Sequence, residues 1–457
     1  MPDFDNSPTP PETMSLIISV SGLRGIVGDT LTPEVAVRYV AAYASTLPAG
    51  ATIVVGRDGR TTGPMLRSAI IAAITATGRR AIDADVIATP TIGVYLRSIG
   101  AAAAVQISAS HNPPAYNGIK LFDADGRVIG ADAGSAVRDA YQTGRPNYVA
   151  HDAIGDATTA TDPHAAHLSA VLATVDAETI AARNYRVLLD ANHGAGGILG
   201  RRLLESLGCD VVLLGEQPTG LFAHTPEPTA ENLSDVGNDV VDQNCVVGFC
   251  QDPDADRLAL IDETGRYIGE EYTLALCVHR ILSNPSMRGP IAINTATSGM
   301  SERIAAEHNV GCHRSAVGEA NVADRMIEVG AVYGGEGNGG PIDPSVGYVR
   351  DSFVAMAQIL DLMARTDGPL SSLADKLPKL HIEKNKISAG PKDLPAIFNK
   401  MTARYPDADA DTNDGLRLTW PDKWLLVRGS NTEPIVRLIA EADTAEEAKR
   451  LVDFETA

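Results

Sequence analysis

Five short segments carry the residue types that group-transfer chemistry needs. SASHNPPAYNGIK (108–120) follows the apolar run AAAAVQI and sets a hydroxyl, Ser110, beside an imidazole, His111. Its two prolines and Asn-Gly pair predict a rigid loop with a turn, which suits a nucleophile presented without a conformational search. The same composition fits a surface turn whose Ser and Asn cap backbone groups, so this segment alone leaves both readings open. No GxSxG surrounds the serine, which excludes a hydrolase elbow. Lys120 closes the loop and is the one lysine of the first 375 residues; the other eight run from Lys376 to Lys449. Arginine does not give up its proton in proteins, whereas a lysine near other cations can be tuned towards neutrality. Lys120 is therefore the candidate for acid–base work, although chance loss of other lysines leaves the same pattern.

QDPDADR (251–257) offers three carboxylates at alternate positions, Asp252, Asp254 and Asp256, which can converge on one hard cation in a tight loop. An EF-hand is the nearest competitor, with Glu263 at its twelfth position, but Arg257 stands where that loop needs glycine and LALI then reads as strand. Mg²⁺ for phosphate chemistry is the better match. YGGEGNGG (333–340) lets main chain approach a polyhydroxylated ligand while Glu336 and Asn338 bond its hydroxyls; a plain flexible connector has the same composition. RGSNTEP (428–434), with Arg437 following, combines two guanidinium groups with Ser430, Asn431 and Thr432 in a turn. That set fits a phosphate cradle, or else a helix cap with a proline turn. SGLRGIVG (21–28) and GRDGR (56–60) add Arg24 and Arg60 on glycine-rich turns that could face an anion.

The elements that must hold these segments form an α/β pattern. ATIVVGRDGR (51–60), YRVLLDANHGAGG (185–197) and PIAINTATSG (290–299) each read as a buried strand, a turn of small polar residues and then a helix, such as 64–77 or 198–207. In open sheets of this kind, ligands gather at the carboxyl ends of the strands. The stretch 141–162 reads as a linker, LALIDETGRYIG as a hairpin about Glu263-Thr264-Gly265, and the onset of lysine near 376 as a boundary. The tail looks like a small strand-rich unit closed by a charged helix. Four modules are expected: 1–155, 156–258, 259–372 and 373–457.

Composition narrows the partners. The 457 residues are 44% hydrophobic, with 38 basic and 58 acidic side chains and a formal charge of −20, which argues against nucleic acid or an anionic membrane. Five cysteines without a CxxC pair read as free thiols, with no disulfide framework and no zinc site. The acidic, proline-rich start has only a short apolar run, so a cytoplasmic protein is expected, monomeric or homodimeric.

In this order, SGLRG, SASHNPP, DPDADR, GEGNGG and RGSNTEP resemble the motifs of the α-D-phosphohexomutase superfamily over almost the whole chain. The resemblance implies three similar α/β domains with mixed sheets and a smaller C-terminal α+β domain around a central cleft. It implies that Ser110 is phosphorylated, and that Asp252, Asp254 and Asp256 bind Mg²⁺ with an oxygen of that phosphoserine. Glu336, helped by Asn338, then contacts sugar hydroxyls. Arg428, Ser430, Asn431, Thr432 and Arg437 hold the phosphate that is not reacting. Arg24, His111, Lys120 and Arg257 match positions near the transferred group. The implied reaction interconverts hexose 6-phosphate and hexose 1-phosphate through a hexose 1,6-bisphosphate.

Two departures bear on the sugar. Gly340 stands where many members, with GExSGH, have histidine, and ADVIATPT (84–91) departs from GxxPTPT. The loop resembles that of archaeal-type phosphoglucosamine mutases and some phosphomanno/phosphoglucomutases, which favours glucosamine phosphate over mannose or glucose phosphate. A metal- and sugar-binding protein without catalysis and a metal-dependent sugar phosphatase are the competing readings. A positive site inside an acidic shell is expected from Arg24, Lys120, Arg257, Arg428 and Arg437.

Overall fold

The computed structural model describes residues 16–19, 22–144, 146–390, 392–429 and 435–453. Four sheets follow one another along the chain. The first has seven strands, in the order 17–18, 22–26, 116–122, 103–107, 52–57, 80–86 and 157–159. Its strands Thr52–Arg57, Arg80–Val86 and Ala103–Ile107 run parallel, and Tyr116–Phe122 returns antiparallel beside Ala103–Ile107. The edge strand Ala157–Thr159 lies past residue 155 and pairs with 81–83. The second and third sheets repeat the plan with four strands each, parallel except for one antiparallel edge, Leu258–Asp262 or Gly340–Ile342. The fourth sheet, from His381–Ser388 to Ile435–Ala442, is wholly antiparallel and is closed by helix Ala445–Val452. The chain is thus three α/β domains with mixed sheets and a C-terminal domain of a different build. Among the described residues, no helix is long and apolar enough to cross a membrane.

Helix Ser352–Thr366 organises the middle of the molecule. Its first thirteen residues are all buried, because SFVAMAQILDLMA is apolar on nearly every face. Asp351 starts it by accepting from the amides of Phe353 (2.9 Å) and Val354 (3.2 Å). One continuous core joins this helix to the second sheet (Val187, Leu189, Phe249) and to the third (Ile291, Ile293). The fourth domain has its own core around Leu418, Leu425 and Leu438. Polar contacts join it to the third domain. Glu441 accepts from the Ser298 hydroxyl, the Gly299 amide (2.8 Å) and the Trp424 indole (2.9 Å).

A buried chain of side chains ties the first three domains together. Thr91 Oγ1 lies 2.9 Å from His167 Nδ1, and His167 Nε2 lies 2.7 Å from Asp351 Oδ2. The imidazole also packs edge-on against Phe353. Its full burial beside Thr91 and Asp351 makes it a structural node rather than a nucleophile's base. His167→Ala should cost about 2–4 kcal/mol, through the loss of the partner of Asp351 Oδ2 and a cavity, seen as a lowered unfolding midpoint.

In the second domain, strand Arg186–Asp190 delivers Asp190 to His224, whose Nε2 lies 2.7 Å away. Burial opposes the imidazolium, but the Asp190 carboxylate outweighs it and raises the His224 pKa above its ordinary value. The folded form therefore holds this proton more tightly than the unfolded chain. The stabilisation is complete below the unfolded pKa of about 6.5 and fades as pH rises through the folded one. The difference in unfolding midpoint between wild type and His224→Gln should shrink steadily from pH 6 to pH 9.

Candidate active site

The Ser110 loop is built from behind by one arginine. Arg60 is almost wholly buried and donates to four loop carbonyls: Ser110 (2.6 Å), Asn112 (2.5 Å), Pro113 (2.9 Å) and Tyr116 (3.0 Å). Its Nε also reaches Asp58 Oδ2 at 3.2 Å. Asp58 accepts in turn from the Ser108 hydroxyl (2.7 Å), and Ser108 Oγ accepts from the Ser110 amide (2.9 Å). This scaffold holds Ser110 at φ +49°, a left-handed backbone that costs a non-glycine residue about 1–2 kcal/mol. Arg60 thus faces the loop backbone and Asp58 rather than a ligand anion, which corrects the expectation from GRDGR. The Asn-Gly pair is corrected too. Asn117 and Gly118 lie inside strand Tyr116–Phe122, where a Cβ on Gly118 would stand 2.6 Å from the Ser108 carbonyl.

Ser110 Oγ donates to Asp252 Oδ2 at 2.6 Å. Asp252, Asp254 and Asp256 are fully buried, and one oxygen from each lies within 4.8 Å of the other two. The loop reaches this shape with Ala255 at φ +56° and with the Ala255 amide donating to the Asp252 carbonyl. Burial and the two neighbouring carboxylates push the Asp252 pKa well up. Burial also acts on Asp254, but Lys120 and Thr89 outweigh it and hold that group ionised. Asp254 Oδ1 and Asp256 Oδ1 are buried without a hydrogen-bond partner among the described residues. Three hard oxygen donors, two of them unsatisfied, fit a small divalent cation.

Lys120 enters the same cluster from the first domain, its Nζ 2.6 Å from Asp254 and 3.1 Å from Asp256. Burial would lower its pKa, yet the two aspartates outweigh that and keep the ammonium charged. Arg24 lies on the neighbouring strand Gly22–Ile26 and donates to Asn112 Oδ1 at 2.6 Å. The Arg257 amide donates to Asp252 Oδ1 at 3.2 Å, and its guanidinium Nε is buried with no hydrogen-bond partner among the described residues, 3.9 Å from Asp256 Oδ1. His111 Nδ1 lies 3.4 Å from Ser110 Oγ. Burial, then Arg257 and Arg24, push its pKa down to about 2, so the imidazole is neutral.

Glu336 sits at the tip of the hairpin formed by Tyr333–Glu336 and Gly340–Ile342, directly opposite Gly340. Its carboxylate accepts from Asn294 Nδ2 (2.7 Å), the Gly318 amide (3.0 Å) and Arg350 Nη1 (2.8 Å). Asn338 Oδ1 is buried without a hydrogen-bond partner among the described residues. Arg428 lies opposite Arg437 in the fourth sheet. It pairs with Asp414 at 2.8 Å, and Asp414 also accepts from the Val317 amide of the third domain at 2.7 Å. Ser430, Asn431 and Thr432 lie outside the described residues. The five expected basic residues thus form two groups, with Arg24, Lys120 and Arg257 around the aspartates and Arg428 and Arg437 on the fourth sheet.

Sequence reasoning missed four residues. Thr89 donates to Asp254 Oδ2 (2.6 Å), Asp58 braces the serine loop, and Glu319 and Arg350 bridge the third domain to Asp256. ATPT (88–91) was the one available signal for Thr89.

Matches to known families decide what this arrangement belongs to. The phosphoglucomutase/phosphomannomutase alpha/beta/alpha domains I, II and III match residues 16–147, 164–265 and 270–381, and the C-terminal domain matches 381–457. The chain belongs to the phosphoglucomutase/phosphomannomutase family. A Methanopyrus kandleri protein named probable phosphoglucosamine mutase is 34% identical, covering 96% of this chain and 97% of its own. A Thermococcus kodakarensis protein named phosphoglucomutase/phosphomannomutase is also 34% identical, covering 96% and 98%. The crystal structure of a phosphoglucomutase/phosphomannomutase family protein from Burkholderia thailandensis superposes with a TM-score of 0.84 at 27% identity, covering 96% of each chain. Membership in this family makes the protein a phosphohexomutase, an isomerase, as the ordered motifs implied.

Proposed function

We propose that this phosphohexomutase interconverts the 6- and 1-phosphates of glucosamine, with Ser110 carrying the transferred phosphoryl group. The observation that carries the reading is the Ser110 hydroxyl, 2.6 Å from Asp252 in a cluster of three buried carboxylates ringed by Lys120, Arg24 and Arg257. Asp252, Asp254 and Asp256 would hold Mg²⁺, together with an oxygen of the phosphoserine. The ion supplies neutralisation of charge on the phosphoryl oxygens.

In the forward half-reaction, the bond from phosphorus to Ser110 Oγ breaks and a bond from phosphorus to a sugar hydroxyl oxygen forms. The Lys120 ammonium gives a proton to the departing serine oxygen. The resulting amine then takes the proton of the attacking hydroxyl, so protons balance within the step. Arg24 and Arg257 stabilise the negative oxygens, and neutral His111 orients by hydrogen bonding. The product is a hexose 1,6-bisphosphate. It re-phosphorylates Ser110 from its other end after turning in the site. Glu336 and Asn338 would hold the sugar hydroxyls, and Arg428, Arg437 and the 430–432 segment the distal phosphate. The separate core of the fourth domain, joined to the third by polar contacts, supports a domain that swings while the intermediate turns.

Glucosamine is favoured by the GEGNGG loop and by the name of the Methanopyrus kandleri relative; the Thermococcus kodakarensis name supports mannose or glucose phosphate as the second reading. The five unpaired cysteines support a cytoplasmic setting. Initial rates with glucosamine, mannose and glucose 6-phosphates, with and without glucose 1,6-bisphosphate, test the reading. The expected result is isomerisation stimulated by the bisphosphate, with the highest kcat/KM for glucosamine. Stoichiometric release of inorganic phosphate without isomerisation would mean a phosphatase instead.

A further inference from the structure

Arg350 engages three carboxylates near the site, and no motif pointed to it. Its guanidinium donates from Nη2 to Asp256 at 2.6 Å, from Nε to Glu319 at 2.9 Å and from Nη1 to Glu336 at 2.8 Å. These carboxylates belong to three segments: the 252–257 loop of the second domain, the start of helix Glu319–Val329, and the tip of the hairpin at Glu336. Arg350 is about nine-tenths buried. Such a contact holds three elements at fixed separation, because a planar guanidinium presents its N–H groups in a rigid fork.

The stem of this arginine runs across Gly340. A Cβ built on Gly340 would lie 2.4 Å from Arg350 Cδ and 2.8 Å from its Cγ, so a side chain at 340 and Arg350 in this position exclude each other. The arginine cannot easily yield, since the next residue is anchored three ways. The Asp351 amide donates to the Pro341 carbonyl at 2.8 Å, and the Asp351 carboxylate both caps the central helix and meets His167. Arg350 engages one oxygen each of Asp256 and Glu319, and the second oxygen of each, Asp256 Oδ1 and Glu319 Oε1, is buried with no hydrogen-bond partner among the described residues, Arg257 Nε standing 3.9 Å from Asp256 Oδ1. Two oxygens are thus oriented and left available, one in the metal-binding loop and one beside the sugar loop.

We infer that Arg350 is a positioning residue which locks the carboxylate loop and the sugar-binding hairpin in register, and that Gly340 is glycine because this arginine lies over it. The inference rests on the mutase reading above and adds to it a physical link between the cation end and the sugar end. Through that link, filling one end favours filling the other, reciprocally. It also gives the departure from GExSGH a cause: a histidine at 340 would occupy the volume of the Arg350 stem.

The test is calorimetric titration of Mg²⁺ into the full chain, with and without a saturating amount of the hexose phosphate that turns over fastest. In wild type the sugar phosphate should tighten Mg²⁺ binding at least about 5-fold. In Arg350→Met that factor should fall to about one, and Arg350→Lys should retain part of it. Gly340→Ala should lose the coupling too, since it displaces the arginine without deleting its charge, and it answers the question if Arg350→Met fails to fold. In Arg350→Met and in Gly340→Ala, kcat should fall more than KM rises, because the sugar still binds but its reacting oxygen is misplaced. No tightening in wild type that turns over, or an undiminished factor in folded Gly340→Ala, would overturn the link and leave the mutase reading standing. A wild type that neither isomerises nor binds any hexose phosphate would remove that reading, and the link with it.

Discussion

Ser110→Ala should lower kcat/KM by about 10⁴-fold or more while leaving the unfolding midpoint within a few degrees of wild type. The loss is large because the hydroxyl is the atom that bonds to phosphorus, and no neighbour can take its place. Ser108 is turned away, its hydroxyl committed to Asp58 and to the Ser110 amide. His111 lies 3.4 Å from Ser110 Oγ, but it would have to swing in to act as a substitute nucleophile, and burial among Arg24 and Arg257 holds it in place. Stability should change little, since alanine at φ +49° is strained about as much as serine and the loop hangs on the Arg60 contacts to its backbone. Intact-mass measurement after exposure to glucose 1,6-bisphosphate should show one phosphoryl adduct on wild type and none on the variant. Wild-type turnover by Ser110→Ala would remove the phosphoserine from the mechanism.

What the sequence disclosed, and what it hid, follows the distance over which each signal acts. DPDADR was legible because three carboxylates within five residues can meet only in a tight loop, and that loop is what forms. Lys120 stood out by composition and does reach Asp254 and Asp256. Arg350 gave no local sign, since its partners lie 94, 31 and 14 residues away and only the packing of helix Ser352–Thr366 brings them together. The Asn117-Gly118 pair misled for a related reason. Its turn propensity is real, but Gly118 is glycine so that the strand can pass close to the carbonyls of Ser108 and Leu23. GRDGR likewise showed a basic turn without showing which way its last arginine points. Long-range carbonyl acceptors leave no mark on local spacing. The acidic total of −20 also looks different once the buried Asp252, Asp254, Asp256 and Glu336, and the largely covered Glu319, are seen as working groups.

Arg60→Met should have the largest effect on stability, about 4 kcal/mol or more, and should cut kcat/KM roughly 100-fold although Arg60 is turned away from the site. The variant strips donors from four loop carbonyls, each costing about 1–3 kcal/mol where water cannot replace the donor, and leaves Asp58 buried without its cation. The pH dependence separates these two terms. Burial raises the Asp58 pKa to about 6, and Arg60, its own amide and Ser108 act against that rise. The folded state thus binds this proton more tightly than the unfolded chain. The group's contribution to stability is fully present below about pH 4 and is lost as pH rises through about 6. Removing Arg60 takes away the largest opposing influence, so Asp58 should ionise later and at greater cost. The deficit of Arg60→Met against wild type should therefore widen from pH 5 to pH 8. Asp58→Asn in the same chain removes the charge that needs the arginine. The double variant should be more stable than the sum of the two single losses by about 1–3 kcal/mol, with a flatter pH profile. What it should not regain is catalytic rate, because an uncharged amide at position 58 supplies nothing to the carbonyls of Ser110, Asn112, Pro113 and Tyr116. A double variant with wild-type kcat would show that the serine loop holds its strained shape without Arg60. An unchanged unfolding midpoint in Arg60→Met would return that side chain to the anion-facing role its glycine-rich turn first implied.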